Sequence, residues 1–246
     1  MMLLDDYKKI TTRPLEDFAT VQPTISSVSE LFERIQPFNE ARWAFRGQGA
    51  DRVLAASIER VAIRPGVAED YAAREFRRRA HQYVTDVPSV DLDLEWLALM
   101  QHHGAPTRLL DWTRSPHVAA FFAAQSSNSA NPTADSAKPL EPFVIWAVDV
   151  DNVNAEAAAI LHLPEGDNDL SSCKNFRRIY WNQQPEIEPY LVAAVQPHRM
   201  NERLTIQQGL FLCANRPLFG FRRCLAPCSF MRATHTNRVR NGYTNS

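Results

Sequence analysis

The chain has 246 residues, 45% of them apolar and 10% aromatic, with a formal net charge of −1, a balance that predicts a folded, soluble protein with ample material for a core. No run approaches the roughly 20 apolar residues of a membrane span, and the opening MMLLDDYKKI carries acids where a secretory signal carries basic residues, so no membrane partner and a cytoplasmic location are expected. Cys173, Cys213, Cys224 and Cys228 have neither zinc-ligand spacing nor the density of a disulfide scaffold, so no metal is expected.

In chain order, TISSVSELFERIQ places Ser27 three residues before Glu30 and then Leu31, Phe32 and Ile35 at helical spacing, which predicts a capped helix. ARWAFRGQG alternates, with Trp43 and Phe45 on one face of a short strand and Ala44 and Arg46 on the other. GVAEDYAAREFRRRAHQYV reads as an amphipathic helix with a basic side at Arg74, Arg77, Arg78 and Arg79, and PSVDLDLEWLALMQHH as a more apolar helix. Gly104 and Pro106 break the latter, and TRLLDWT has the length and apolar content of a short buried strand. Ser115 then precedes Pro116 as an N-cap and first-turn pair for the small-residue helix HVAAFFAAQ. Residues 126–142 form a polar, proline-bearing stretch read as a flexible insertion. FVIWAVDV is the clearest strand, NAEAAAILHL a short helix, and PYLVAAVQP and RLTIQQGLFLC two late strands. From Arg222 onward five arginines and no acid accompany a loss of periodicity, which predicts a basic, poorly ordered tail over 222–246 and leaves the preceding body at −6.

The segment LMQHHGAPTRLLDWTRSPHVAAFFAA concentrates polar groups between apolar runs. His102 and His103 are adjacent on a helix end, about 100° apart, so one metal cannot easily take both, and completing the helix terminus is the favoured role. Arg108 and Asp111 start on opposite faces of the strand, so each needs its own partner, expected among residues such as Arg46 or Arg203. Such a density of polar groups suits an ion-pair network or a ligand cleft. Of 27 basic residues only four are lysines, a bias toward guanidinium that suits bidentate contacts with carboxylate or phosphate. No Gly-rich phosphate loop, G-x-G-x-x-G or G-x-S-x-G occurs.

WAFRGQG (43–49), LALMQHHGAPTRLLDWTRSPHVAAFFAA (97–124) and NERLTIQQGLF (201–211) resemble, in order and spacing, the hallmark segments of the FRG domain family, over about residues 25–221. Residues 1–24 are then an N-terminal extension. That family is distantly similar to the ADP-ribosyltransferase superfamily, which implies an α+β fold with a split, mostly antiparallel β core, flanking helices and NAD as substrate. On that mapping Arg46, Gly47, His103, Thr107, Arg108 and Arg203 bind the cofactor, while Asp111, Thr113 and Gln207 are catalytic. Gln207 falls near the place of the superfamily's catalytic glutamate, and an amide can hold a ribose hydroxyl without supplying a full charge. Either Asp111 or Glu202 then serves as the carboxylate, or the chain is a slow transferase, or it binds a nucleotide without turnover. The resemblance further implies bacterial phage defence or toxin-like action, a macromolecular acceptor (protein or nucleic acid), and an antitoxin or inhibitor as partner. Two other readings compete with the enzyme: a non-catalytic ligand-binding module and, less favoured, a nucleic-acid-binding protein using Arg77 to Arg79 and the tail.

Overall fold

The computed structural model describes residues 20–21, 25, 27–38, 40–50, 54–129, 143–167, 169–180, 191–199, 202–217, 221 and 230–235. The strands are β1 (Thr20–Val21), β2 (Trp43–Gln48), β3 (Leu109–Thr113), β4 (Phe143–Asp149), β5 (Val192–Val195), β6 (Gly209–Ala214) and β7 (Phe230–His235). They form one sheet in the order β1-β7-β4-β2-β3-β6-β5, antiparallel throughout except where β1 runs parallel to β7. The helices are α1 (Val28–Ile35), α2 (Ser57–Val61), α3 (Pro65–Ala80), α4 (Asp93–His102), α5 (Pro116–Ser129), α6 (Val150–Ile160), α7 (Cys173–Tyr180) and α8 (Glu202–Ile206). The architecture is therefore α+β, a mostly antiparallel sheet with flanking helices. No described helix is long and apolar enough to cross a membrane.

Local signals set the early elements. Ser27 caps α1 by accepting from the Glu30 backbone N–H at 3.1 Å, satisfying one of the donors that a helix start leaves orphaned. In β2 the alternation becomes two environments. Trp43 and Phe45 pack with Leu31 and Ile35 of α1, Ala119 and Ala123 of α5, and Ile145 of β4. Ala44 lies on the other face, among Leu110, Trp112, Val144, Trp146, Val148 and Leu212. On the first face, Leu109, Ala193, Val195, Phe211 and Cys213 form a separate cluster with Leu94, Leu97 and Met100 of α4 and with Phe176, Ile179 and Tyr180 of α7.

The two faces differ in a way that places the site. One face carries a continuous core running from β4 through β2 and β3 to β5. On the opposite face the core is divided in two, and the division falls at the boundary between β2 and β3. Their ladder is correspondingly thin: β2 and β3 share the single register pair Phe45↔Thr113, whereas β2 pairs with β4 along its whole length from Trp43↔Asp149 to Gln48↔Val144.

Three expectations need correction. Glu202–Ile206 is the helix α8, and the strand begins only at Gly209, where a Cβ would come within 2.9 Å of Leu204 Cγ; the β-branched residues of RLTI misdirect the period reading over so short a segment. Phe230–His235, in the segment read as an irregular tail, is the strand β7 and pairs with β4 from Phe143↔His235 to Val148↔Phe230. The stretch read as a flexible insertion begins inside α5, which runs to Ser129; residues 130–142 lie outside the described residues, as do most of 1–24 and 222–246.

Candidate functional site at the β2–β3 seam

At the seam β3 has little backbone partner on its β2 side beyond Thr113, so its carbonyls need other donors. Arg46 supplies one: its Nη1 donates to the Asp111 carbonyl at 2.5 Å. The guanidinium is half-buried, its Nε is enclosed without a hydrogen-bond acceptor, and among the described residues it forms no ion pair. Burial pulls its pKa below the ordinary arginine value; Asp111 works against that fall and Arg60, from α2, adds to it. A half-buried cation with no carboxylate in direct contact among the described residues, and beside a second guanidinium, is a place that an anion would suit.

Alternation along β3 sends the Asp111 side chain to the divided face, the face opposite to the Arg46 side chain. The Asp111 carboxylate is exposed and accepts from Gln101 Nε2 at 2.8 Å. Gln101 is fixed in turn by the buried Thr107, whose hydroxyl donates to Gln101 Oε1. Thr107 Oγ1 also accepts from the Leu109 N–H at 3.3 Å, and the Thr107 N–H donates to Ser57 Oγ at 2.9 Å. Thr107 thus acts on Asp111 through Gln101, a residue that the sequence motif contains but that spacing does not single out.

Thr113 stands two residues further along the same face, about 7 Å from Asp111 by strand rise. Its hydroxyl donates to the Gln207 carbonyl at 2.6 Å and accepts from the Ser115 N–H at 3.0 Å. Gln208 follows at φ +49°, a left-handed conformation that costs a residue with a Cβ on the order of 1 kcal/mol, and its carbonyl accepts from the Arg114 N–H at 2.9 Å. Gln208, Arg114, Phe38, Glu40 and Ala41 line a hollow of about 460 Å³ beside this strained turn. The seam therefore brings Arg46, Asp111, Thr113 and Gln207 to adjoining positions on two neighbouring strands and one turn. Arg203 is exposed on α8, where its carbonyl accepts from the Gln207 N–H at 3.0 Å.

Two residues expected at the cofactor are built into the scaffold instead. Arg108 is fully buried. Its Nε donates to Glu69 Oε2 and its backbone N–H to Glu69 Oε1, both at 2.5 Å; Nη1 donates to the Tyr180 and Asn215 carbonyls at 3.4 and 3.1 Å. The Tyr180 ring covers the guanidinium at 4.5 Å. Burial opposes the Arg108 charge, but Glu69 outweighs it and the pKa stands above the ordinary value. The partner of Arg108 is thus Glu69, and not Arg46 or Arg203, which as cations could not have neutralised it. Glu69 carries its own sequence signal, being the charged member of the stripe Glu69, Ala73, Phe76, Ala80 on α3. Gly47 faces the backbone of α5, where a Cβ would lie 1.9 Å from the Ala119 carbonyl oxygen.

His103 is the exposed C-cap of α4. Gly104 follows at φ +81°, its N–H donating to the Gln101 carbonyl at 3.0 Å while that of Ala105 reaches the Met100 carbonyl at 2.9 Å. These paired bonds are the Schellman arrangement, and they are why His-His-Gly ends the helix that carries Gln101. Gly104→Ala should cost about 1 kcal/mol through the left-handed backbone alone, read as a lower urea midpoint with an unchanged m-value; because no atom lies within 4 Å of the added Cβ, a loss above about 3 kcal/mol would contradict this.

Comparison with known proteins reaches part of the chain. No curated protein and no solved structure matches it. The family model of the FRG domain matches residues 41–132, from β2 through α5, and stops short of the 201–211 segment. Arg46, Gln101, Thr107, Asp111 and Thr113 all lie inside this stretch, so the β2–β3 seam falls within the part of the chain that matches the FRG domain.

Proposed function

We propose that this chain is an NAD-dependent ADP-ribosyltransferase of the FRG type, with NAD lying across the β2–β3 seam. The observation that carries the reading is the state of Arg46: a guanidinium drawn out of water at the point where the sheet comes apart, with an enclosed Nε that has no acceptor. A pyrophosphate would supply a contacting negative charge and an acceptor for Nε. In the reaction the bond between ribose C1′ and the nicotinamide nitrogen breaks, nicotinamide leaves with the electron pair, and an acceptor nucleophile bonds to C1′ and gives up its proton. Positive charge develops on the ribose; because the Asp111 side chain leaves the face opposite to that of Arg46, its carboxylate, aimed by Gln101, meets this charge only in a pose that threads the open stretch of the seam beyond the Phe45–Thr113 pair. Gln207 contributes hydrogen bonds without charge. A toxin-like or phage-defence role would fit such an activity through a macromolecular acceptor.

Arg46→Ala should lower nicotinamide release at least tenfold while leaving the melting temperature within a few degrees, because the lost bond reaches a single carbonyl. Asp111→Asn, which keeps the bond from Gln101, should abolish release and retain NAD binding by calorimetry. The competing reading, a ligand-binding module, rests on the neutral amide at Gln207. It would be favoured by NAD binding that depends on Arg46 with no release in the parent protein.

A further inference from the structure

At the end of α2 and along the start of α3, four large apolar side chains stand in water together: Val61 at 69% exposure, Ile63 at 92%, Val67 at 63% and Tyr71 at 64%. A single exposed apolar residue is ordinary, but a cluster of four is not. They line one groove of about 730 Å³, completed by Ala62, Ala68, Arg64 and Arg74. Val67 and Tyr71 are one helical turn apart on α3, whose opposite stripe of Glu69, Ala73 and Ala80 is buried, so α3 offers anchors outward as well as inward. The groove lining holds two guanidiniums and no carboxylate, in a chain whose body before Arg222 is acidic. This local reversal of sign selects the partner.

From this we infer that the α2–α3 groove is a docking surface for an acidic amphipathic helical segment of another protein. Apolar side chains one turn apart on that segment would fill the space between Val61, Ile63, Val67 and Tyr71, and its carboxylates would meet Arg64 and Arg74 at the rim. A nucleic acid fits less well, because its phosphates would have to lie over apolar side chains with only two cations lining the groove.

The test uses the full chain, immobilised, against a display library of random peptides about 16 residues long. The expected outcome is enrichment of net-acidic peptides with apolar residues at i and i+4. An enriched peptide, resynthesised, should bind at least tenfold more weakly to Val67→Glu and Tyr71→Glu, and to the Arg64→Glu, Arg74→Glu double variant, while all variants keep the parent's circular dichroism. No enrichment, enrichment of basic or neutral peptides, or binding indifferent to these substitutions would overturn the inference. So would a dimer in sedimentation that Val67→Glu dissolves, or adsorption to phosphatidylserine vesicles that depends on Tyr71, since each names a different occupant.

Discussion

Arg108→Met alone and Glu69→Leu alone should each cost about 3–5 kcal/mol of stability, the range for leaving one member of a buried ion pair unmatched. Both side chains are fully enclosed, so neither survivor can recover its hydration by a small rearrangement. Among the described residues Glu69 would keep only the Arg108 backbone N–H; Arg108 would keep the Tyr180 and Asn215 carbonyls and the ring above it, none of which carries charge. The double variant removes both desolvation costs and should regain a substantial part of the loss. Urea unfolding of the four proteins closes the cycle. If either single variant stays within about 1 kcal/mol of the parent, the pair is not the electrostatic anchor described above. The double variant also separates scaffold from chemistry: it should release nicotinamide at the parent's rate, whereas an Arg108 that touched NAD would leave it inactive however stable.

This pair also shows where sequence reasoning stops. Ser27 before Glu30, the alternation from Trp43 to Gln48 and Ser115 ahead of Pro116 each act within a few residues, and each is legible because its physical cause is local. Glu69 and Arg108 are separated by 39 positions, and a charged residue on a buried stripe announces only that it needs a partner. Strand β7 is unreadable for the same reason: its ladder is with β4, far upstream, and its own six residues carry no clear alternation. The site is legible in identity rather than arrangement. Arg46, Asp111 and Gln207 could be named from motif resemblance, but that Arg46 and Asp111 leave opposite faces of the sheet follows from the register pair Phe45↔Thr113, and that Gln101 holds the carboxylate follows from the packing of α4 on β3.

The three residues of the Phe-Arg-Gly triplet divide the labour at that seam. Phe45 is buried under α5 and makes the one register pair; Arg46 reaches across to β3; Gly47 lets α5 lie close enough for both to hold. Gly47→Ala should destabilise the protein by about 3 kcal/mol or more, at the upper end for overpacking, because the new Cβ meets backbone rather than a movable side chain: the Ala119 oxygen at 1.9 Å, the Ala123 nitrogen at 2.7 Å and the Ala119 carbonyl carbon at 2.9 Å. Relief would need α5 to retreat from β2, yet its first turn is tied to β3 through the Ser115 N–H and Thr113 Oγ1 and its small-residue face is packed around Phe45. Adding Ala119→Gly should not rescue the variant, since the obstructing atom is a carbonyl that glycine also has. A Gly47→Ala protein with the parent's urea midpoint but no NAD binding would reverse the assignment, making Gly47 a place for the ligand's close approach; loss of the fold in both the single and the double variant is what the packing of α5 on β2 demands.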